Sequence, residues 1–240
     1  MSITVFNRYE KKYLLTEDKY NTLVKCFEEY MVPDSHSKDG GFYSICNIYY
    51  DTDTDELIRK SIEKPVYKEK LRLRSYGVPG VMDESFIEIK KKFKGNVNKR
   101  RITLPLQEAV DYLDRDILPP SIDPDSQIFR EIQFMRQRYT LVPKVYLSYD
   151  RRAYFGKDDK DFRITFDTNI QTRRTDLNLS SGAYGLHILP KGHWIMEIKV
   201  TQGVPMWLVK LLSELEIYQT SFSKYGTEYK SLIKNNTKRR

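Results

Sequence analysis

The chain has 240 residues, of which 40% are hydrophobic and 31% are charged, so we expect a substantial core beneath a very polar surface. Its formal net charge of +8 and its pI near 9.2 favour anionic partners such as phosphates, nucleic acid or acidic lipid. The 2 cysteines and 3 scattered histidines argue against a zinc site or a disulfide framework.

No run of residues is long and apolar enough to span a bilayer, and the first residues lack the apolar core of a signal peptide. We therefore expect a soluble, cytoplasmic protein, which a separate membrane-protein partner could hold at the inner face of a membrane. Neither an internal repeat nor a flexible linker interrupts the sequence. This predicts one domain over residues 1–240, with a core of about 5–234 and a basic tail at 235–240.

Alternating apolar and polar residues predict strands, and apolar residues at helical spacing predict helices. Thr16 is a candidate N-cap for the first helix. In chain order the pattern predicts a strand over 3–15, a helix over 17–31, a strand over 42–51, a short helix over 53–62, strands over 66–75, 85–93 and 96–104, helices over 106–116 and 125–139, strands over 142–155, 161–170 and 193–201, and helices over 205–217 and 222–234. This order predicts an α+β domain built on a large antiparallel sheet or closed barrel.

Several predicted strands carry a row of charged residues along one face. In KEKLRLR (68–74), every second residue is basic, so Lys68, Lys70, Arg72 and Arg74 share a face. Three further strands combine basic residues with carboxylates on one face, in EIKKK at 88–92, RITFD at 163–167 and EIK at 197–199.

Two interpretations of these rows stay open at this point. The first is a sheet with one face in water, as is common in antiparallel sheets. The second is that several charged faces line a barrel interior, where a polyanion would neutralise the basic residues and carboxylates would hold a divalent cation. Burying so many unpaired cations is costly, so such an interior must contain anions, water or both.

A series of short motifs resembles a known family. In chain order they are RYEKKY (8–13), KLRLR (70–74), EIK (88–90), KRR (99–101), YDR (149–151), RITFD (163–167), EIK (197–199) and SFSKY (221–225). Their order and spacing resemble the VTC-type polyphosphate polymerase domain and the wider CYTH, or triphosphate tunnel metalloenzyme, superfamily. The resemblance extends from about residue 5 to residue 234.

The resemblance implies an α+β fold in which eight antiparallel strands form a tunnel with flanking helices. In the VTC branch, the domain transfers the γ-phosphoryl group of ATP to a growing inorganic polyphosphate chain, with Mn²⁺ or Mg²⁺ as cofactor. Other members of the superfamily hydrolyse inorganic or thiamine triphosphate, cyclise ATP or remove the RNA 5′ γ-phosphate. The implied partners are ATP, polyphosphate and a separate membrane protein, and no nucleic acid is expected.

The resemblance also implies roles for individual residues. Those implied to take part in catalysis are Arg72, Arg74, Lys90 and Arg163. Those implied to bind substrate are Lys12, Lys99, Arg101, Tyr149, Arg151, Lys199, Ser223 and Lys224. Glu197 is the implied metal ligand, with Glu88 and Glu10 as further candidates, although each of these carboxylates could instead be an ion-pair partner of the lysines.

Two departures from the family pattern bear on function. Arg8 stands where the hydrolases of the superfamily have their first acidic residue, which favours the polymerase branch. Ser221 stands where the fungal domain has a basic residue, which puts chain translocation or affinity in question. Three classes stay open: an ATP-dependent polyphosphate polymerase, a triphosphatase of the CYTH type, and a non-catalytic module that binds polyphosphate or RNA. No P-loop or dinucleotide-binding motif supports another nucleotide-binding fold.

Overall fold

The computed structural model describes residues 9–37, 41–94 and 96–238, without the side chains of Asn236 and Lys238. Arg8, the first part of the predicted strand over 3–15 and the end of the predicted basic tail lie outside the described residues. Among the helices described, none has both the length and the apolar character needed to cross a bilayer.

The described residues form strands and helices in an α+β arrangement. The strands are β1 (Tyr9–Thr16), β2 (Met31–Pro33), β3 (Tyr43–Asp51), β4 (Tyr67–Tyr76), β5 (Glu84–Phe93), β6 (Asn96–Pro105), β7 (Val142–Gly156), β8 (Arg163–Arg173), β9 (Leu186–His187), β10 (His193–Val200) and β11 (Gln219–Thr220). The helices are α1 (Glu17–Tyr30), α2 (Glu56–Ile62), α3 (Leu106–Arg115), α4 (Gln127–Arg138), α5 (Met206–Glu214) and α6 (Lys224–Lys238), with a 3₁₀ turn at Leu179–Ser181.

The predicted α+β class, with an antiparallel sheet and flanking helices, is confirmed, but the predicted count of eight strands is wrong. Pairing among the described residues involves 11 strands, and its main path begins at β11 and ends at β6 without closing. The additional strands β2, β9 and β11 have two or three residues each, too few to show an alternating pattern in the sequence. Thr16 does precede α1, but its side chain makes no capping hydrogen bond.

The chain divides into two compact units, each made of segments that are distant in sequence. Unit 1 contains the residues up to 43, together with 149–170 and 189–223. Unit 2 contains residues 44–148 and 171–188 and those from 224 onward. Strands β7 and β8 each contribute residues to both units. The interpretation of the chain as one domain stays a prediction.

In unit 1 the strand order is β11-β1-β10-β8-β7, with β2 paired to β7. One face of this sheet is apolar because residues such as Tyr13, Phe166 and Met196 alternate with polar neighbours along their strands. This face packs against α1 and α5, whose buried side chains include Phe27 and Leu208. The opposite face of the same strands carries the charged residues.

In unit 2 the strand order is β7-β3-β4-β5-β6, and β9 pairs with the last residues of β8. The apolar face includes Leu71, Leu73 and Ile87, none of which has exposed surface. It packs against α3 and α4, which contribute Leu113 and Ile132 among others. Successive side chains of a strand point to opposite faces, so every second residue of β4, β5 and β6 projects away from the helices. The predicted basic row lies on that face.

Candidate functional site

Strand register determines which side chains of unit 2 share the charged face of the sheet, here called the unit 2 charged face. Tyr49 of β3 lies opposite Arg72 of β4, which lies opposite Glu88 of β5, and Glu88 in turn lies opposite Arg101 of β6. The side chains of the unit 2 charged face are Asn47, Tyr49, Lys68, Lys70, Arg72, Arg74, Glu88, Lys90, Lys92, Lys99 and Arg101. The strand pairing therefore brings together all the site residues predicted in this part of the sheet.

Glu88 is the anchor of the unit 2 charged face. It accepts a hydrogen bond from Nε of Arg72 at 2.7 Å, and its carboxylate also lies 3.6 Å from Nε of Arg74. Its other oxygen lies 3.0 Å from Nζ of Lys99. Burial alone would raise the pKa of Glu88, but Arg72, Arg74 and Lys99 outweigh it and lower the pKa to about 2. Glu88 is thus ionised at neutral pH and holds three cations together.

Two further side chains, Asn47 and Tyr49, fix the two arginines. Nε of Arg74 donates a hydrogen bond to Oδ1 of Asn47 at 2.9 Å, and Nη1 of Arg72 donates to the hydroxyl of Tyr49 at 3.1 Å. Arg74 is almost fully buried, whereas Arg72 keeps a partly exposed side chain. Asn47 and Tyr49 are absent from the residues predicted from the sequence, although their period-two spacing in the mostly apolar segment 43–51 was the signal that could have identified them.

Lysines extend this row beyond the arginines. Lys70 lies opposite Lys90, and Lys68 lies opposite Lys92, so like charges face each other across β4 and β5. Burial, joined by repulsion from Lys90 and Lys68, lowers the pKa of Lys70 to about 8. Directly opposed like charges destabilise a strand pair, so this ladder costs stability unless an anion accompanies it. The guanidinium of Arg101 stacks over the ring of Phe86 at 4.4 Å.

The unit 1 charged face is also set by register. Lys12 of β1 lies opposite Glu197 of β10, which lies opposite Thr165 of β8. Glu10 lies opposite Lys199 one step along. The side chains of the unit 1 charged face are Glu10, Lys12, Tyr149, Arg151, Arg163, Thr165, Asp167, Glu197 and Lys199. The predicted site residues of these strands thus lie on one face.

Glu197 lies between two lysines. Its oxygens are 2.9 Å from Nζ of Lys199 and 3.6 Å from Nζ of Lys12. Burial opposes ionisation of Glu197, but Lys199, Lys12 and Arg151 outweigh it and hold the pKa of this carboxyl well below its usual value. Lys12 also lies 3.1 Å from Glu10 and donates a hydrogen bond to the carbonyl of Phe222 at 3.2 Å.

The remaining unit 1 candidates have separate partners. Arg151 binds Asp167 through two hydrogen bonds of 2.6 and 2.8 Å, and its guanidinium lies 5.2 Å from the centre of the Tyr149 ring. Arg163 instead donates to Asp34 at 2.7 Å, a partner that was not predicted from the sequence.

Two predicted residues fall at a junction: Ser223, exposed, ends unit 1, and Lys224, half-buried, begins α6 in unit 2.

The oxygen donors of unit 1 fit a hard divalent cation better than those of unit 2. Glu10 and Glu197 both reach the ammonium of Lys12. The buried hydroxyl of Thr165, opposite Glu197, has no hydrogen-bond partner within the described part of the chain. Mg²⁺ is commonly held by one or two carboxylates together with substrate phosphates and water. Among the described residues, no three acidic, histidine or cysteine side chains cluster as a ready-made site. Among the described side chains of the unit 2 charged face, Glu88 is the single carboxylate, and it is shared among three cations.

An antiparallel sheet with helices on its apolar face and cations on its other face is the architecture of the triphosphate tunnel class. The family model described as "VTC domain" matches residues 7–233, so the chain belongs to the VTC domain family. This confirms the resemblance found in the sequence. A comparison with curated proteins gives no match.

Solved structures share the fold at low sequence identity. A candidate adenylate cyclase from Bacillus halodurans has a TM-score of 0.54 at 15% identity, over 89% of this chain and 92% of that chain. A candidate adenylyl cyclase from Hippeastrum, described as having a dominant triphosphatase activity, has a TM-score of 0.55 at 14% identity, over 92% and 95% of the two chains. At these identities the similarity concerns the fold alone.

Proposed function

We propose that this protein is a polyphosphate polymerase, which transfers the γ-phosphoryl group of ATP to a growing inorganic polyphosphate chain. Membership of the VTC domain family supports a function in polyphosphate chemistry. The observation that carries the proposal is the length of the basic row on β4. From Lys68 to Arg74 the row covers about 20 Å at roughly 3.3 Å per residue, which is longer than a triphosphate group.

The like-charged pairs Lys70–Lys90 and Lys68–Lys92 support a polymeric ligand in particular. A bound triphosphate would neutralise the arginine end of the row and leave these pairs facing each other. An extended polyanion would offset all of them, and the lysines would then stabilise the complex instead of opposing the fold.

In this proposal, Arg72 and Arg74 bind phosphate oxygens of the reacting groups, because a planar guanidinium matches them bidentately. Lys90, Lys99 and the exposed Arg101 extend the phosphate contacts. In unit 1, Lys12, Arg151, Arg163 and Lys199 are proposed to bind phosphate, with Tyr149 beside Arg151. Ser223 and Lys224 are proposed as further substrate contacts.

Phosphoryl transfer requires mainly positioning and neutralisation of charge, and the acceptor phosphate oxygen is already anionic. No strong general base is therefore required. Glu197, with Glu10, would hold Mn²⁺ or Mg²⁺, which would neutralise charge on the phosphate oxygens when bound. We interpret Glu88 as the residue that positions Arg72, Arg74 and Lys99. A cytoplasmic location beside a separate membrane-protein partner belongs to the same proposal.

A triphosphatase is the second candidate, and the observation that favours it is the shared fold with the Hippeastrum protein, whose triphosphatase activity is dominant. Both activities would use the same cations and differ in whether phosphate or water accepts the phosphoryl group. A non-catalytic polyphosphate-binding module is the third candidate, and it would have no need of Glu197.

One assay separates these candidates: purified protein with ATP and Mn²⁺, scored for long-chain polyphosphate and for released orthophosphate. We expect polymer from the wild type, none from Glu197→Gln, and retained polyphosphate binding in that variant because the basic rows are unchanged. Orthophosphate without polymer would contradict the polymerase and favour the triphosphatase. Binding with neither product would favour the module.

A further inference from the structure

A buried tyrosine of the unit 2 charged face has no role in the proposed phosphoryl transfer. Tyr49 lies opposite Arg72 in register and is 8% exposed. Its hydroxyl oxygen accepts the hydrogen bond from Nη1 of Arg72, while Glu88 binds Nε and Nη2 of the same guanidinium. Two edges of Arg72 are therefore held by two different oxygens, one of a carboxylate and one of a phenol.

The groups facing Tyr49 are mostly cationic. Strand β4 presents Lys70, Arg72 and Arg74 on this face, and strands β5 and β6 present Glu88 and Lys99. Helix α6 contributes Tyr225, whose ring centre lies 4.8 Å from that of Tyr49 and whose hydroxyl donates to Asp51. Glu88 is shared among three cations, and the phenol oxygen is a further acceptor for this cluster, as Asn47 is for Arg74.

These charges act on the ionisation of the phenol. Burial alone would raise the pKa of Tyr49, but Arg72, Lys70 and Arg74 outweigh it and lower the pKa to about 7. A phosphate bound to Arg72 would bring negative charge beside the same oxygen, which disfavours the phenolate. A neutral phenol in this position can instead donate a hydrogen bond to a phosphate oxygen.

We propose that Tyr49 is a further substrate-binding residue, whose phenolate balances Arg72 without polyphosphate and takes up one proton to donate a hydrogen bond to a phosphate oxygen when polyphosphate binds. The proton comes from the solvent, and no covalent bond between heavy atoms forms or breaks. The inference rests on the polyphosphate-binding part of the proposed function and does not depend on phosphoryl transfer.

The proton uptake has a defined pH range. Lys70 and Lys99 would also take up protons on polyanion binding, but their pKa values are lowered only to about 8. Between pH 7 and pH 8, Tyr49 is therefore the main group to respond. Because Tyr49 has a pKa of about 7 in the free protein, uptake of one proton on binding lowers the affinity for polyphosphate about fivefold as the pH rises from 7 to 8. Tyr49→Phe should remove this pH dependence.

The direct test is ultraviolet difference absorbance of tyrosinate in the full chain, with sodium tripolyphosphate as the probe. We expect about one tyrosinate per chain near pH 8, well below the usual tyrosine pKa of about 10. This signal should disappear when tripolyphosphate is added and should be absent from Tyr49→Phe. Tyr225→Phe is the matched control, because burial and Asp51 raise the pKa of Tyr225 and its loss should leave the signal unchanged.

Calorimetric titration in two buffers of different ionisation enthalpy gives a second measurement, the number of protons taken up on binding. Uptake near pH 7.5 should be larger in the wild type than in Tyr49→Phe. A tyrosinate signal that persists with tripolyphosphate bound, or its absence below about pH 9 in the wild type, would overturn the inference. Both overturning outcomes are measured on wild-type protein, so the inference remains falsifiable if a variant fails to fold. Loss of the signal in a protein that makes no polymer would support Tyr49 while contradicting the polymerase.

Discussion

Glu88 shows how a single carboxylate stabilises a cluster of cations in the folded protein. It is 1% exposed and contacts two arginines and a lysine. Removing one partner of a buried ionic cluster leaves the others uncompensated, and this commonly costs about 3–5 kcal/mol. We expect Glu88→Gln, which keeps the side-chain shape, to lower the free energy of unfolding by about 3 kcal/mol in urea titrations without polyphosphate. Added polyphosphate should restore part of this loss, since its charge replaces that of Glu88.

Glu131 is a suitable comparison for Glu88. Its carboxylate also contacts two cations, Lys91 at 2.8 Å and Arg100 at 2.9 Å, but its side chain is 22% exposed. Water therefore compensates for much of its loss, and Glu131→Gln should cost clearly less stability, without recovery on adding polyphosphate. Equal losses in the two variants would show that Glu88 has no special role as an anchor.

The low pKa of Glu88 also predicts a pH dependence of stability. The pKa is about 2 in the folded protein and 4.5 for an unperturbed glutamate, so Glu88 stabilises the fold fully above about pH 4.5. This contribution is lost as the pH falls towards 2, because the unfolded chain then binds the proton more readily. The difference corresponds to roughly 3 kcal/mol at 1.36 kcal/mol per pKa unit.

Urea titrations of the wild type and Glu88→Gln as a function of pH test this dependence. The gap between their free energies of unfolding should be constant near neutral pH and should narrow steadily below about pH 4.5. A gap that does not change on acidification would mean that the carboxylate is not held ionised by its neighbours.

At the scale of elements, β4 and β5 form a strand pair in which lysines repel one another across the pair. Lys68 and Lys92 face each other directly and share their face with the Lys70–Lys90 pair. Replacing Lys68 and Lys92 together with methionine should raise the free energy of unfolding by about 0.5–1 kcal/mol, since opposed like charges are removed while the aliphatic stems are largely kept. Denaturant titration measures this gain.

The same double variant should weaken binding of long-chain polyphosphate while leaving tripolyphosphate binding nearly unchanged, because the arginine end of the row remains. Lys210→Met, at an exposed position of α5, is the control for a general loss of positive charge. Equal weakening for both ligands, or none for the long chain, would argue against a row that accommodates a polymer.

The alternating strands were the elements most accessible from the sequence. The predicted and observed bounds of β4 differ by one residue at each end, because basic and apolar side chains alternate through its centre. Strands of two or three residues, such as β9 and β11, depend on the neighbour that they pair with and leave no such pattern. The same holds for partners: Asp34 binds Arg163 from 129 positions away, which no local spacing can reveal.

The residues of the charged faces also differ in how far the sequence could predict them. That Arg72, Glu88 and Lys99 belong to one face could be predicted from period two and strand order. That Tyr49 contributes to it was hidden by the aromatic and apolar composition of the segment YSICNIYYD, which is typical of buried core. Its function depends on the charges that surround a buried phenol, and these depend on register.

For the molecule as a whole, the net charge of +8 has a thermodynamic consequence. A polyanion that binds only the folded chain stabilises it by mass action, by about 2.7 kcal/mol at a free concentration of about 100 times its dissociation constant. We expect long-chain polyphosphate to raise the melting temperature more than orthophosphate at equal phosphate concentration, because one chain occupies several cationic positions at once. The effect should decrease as salt is added, since salt screens partly exposed charges.

Two variants identify where this stabilisation arises. Arg72→Ala with Arg74→Ala should lose most of it, whereas Glu197→Gln should keep it, because the removed carboxylate adds no attraction for an anion. Thermal unfolding at a series of polyphosphate concentrations, at low and at high salt, measures both effects. If orthophosphate stabilises the wild type as strongly as the long chain, the basic rows bind phosphate groups independently of one another. A polymeric substrate would then have no support from the basic rows.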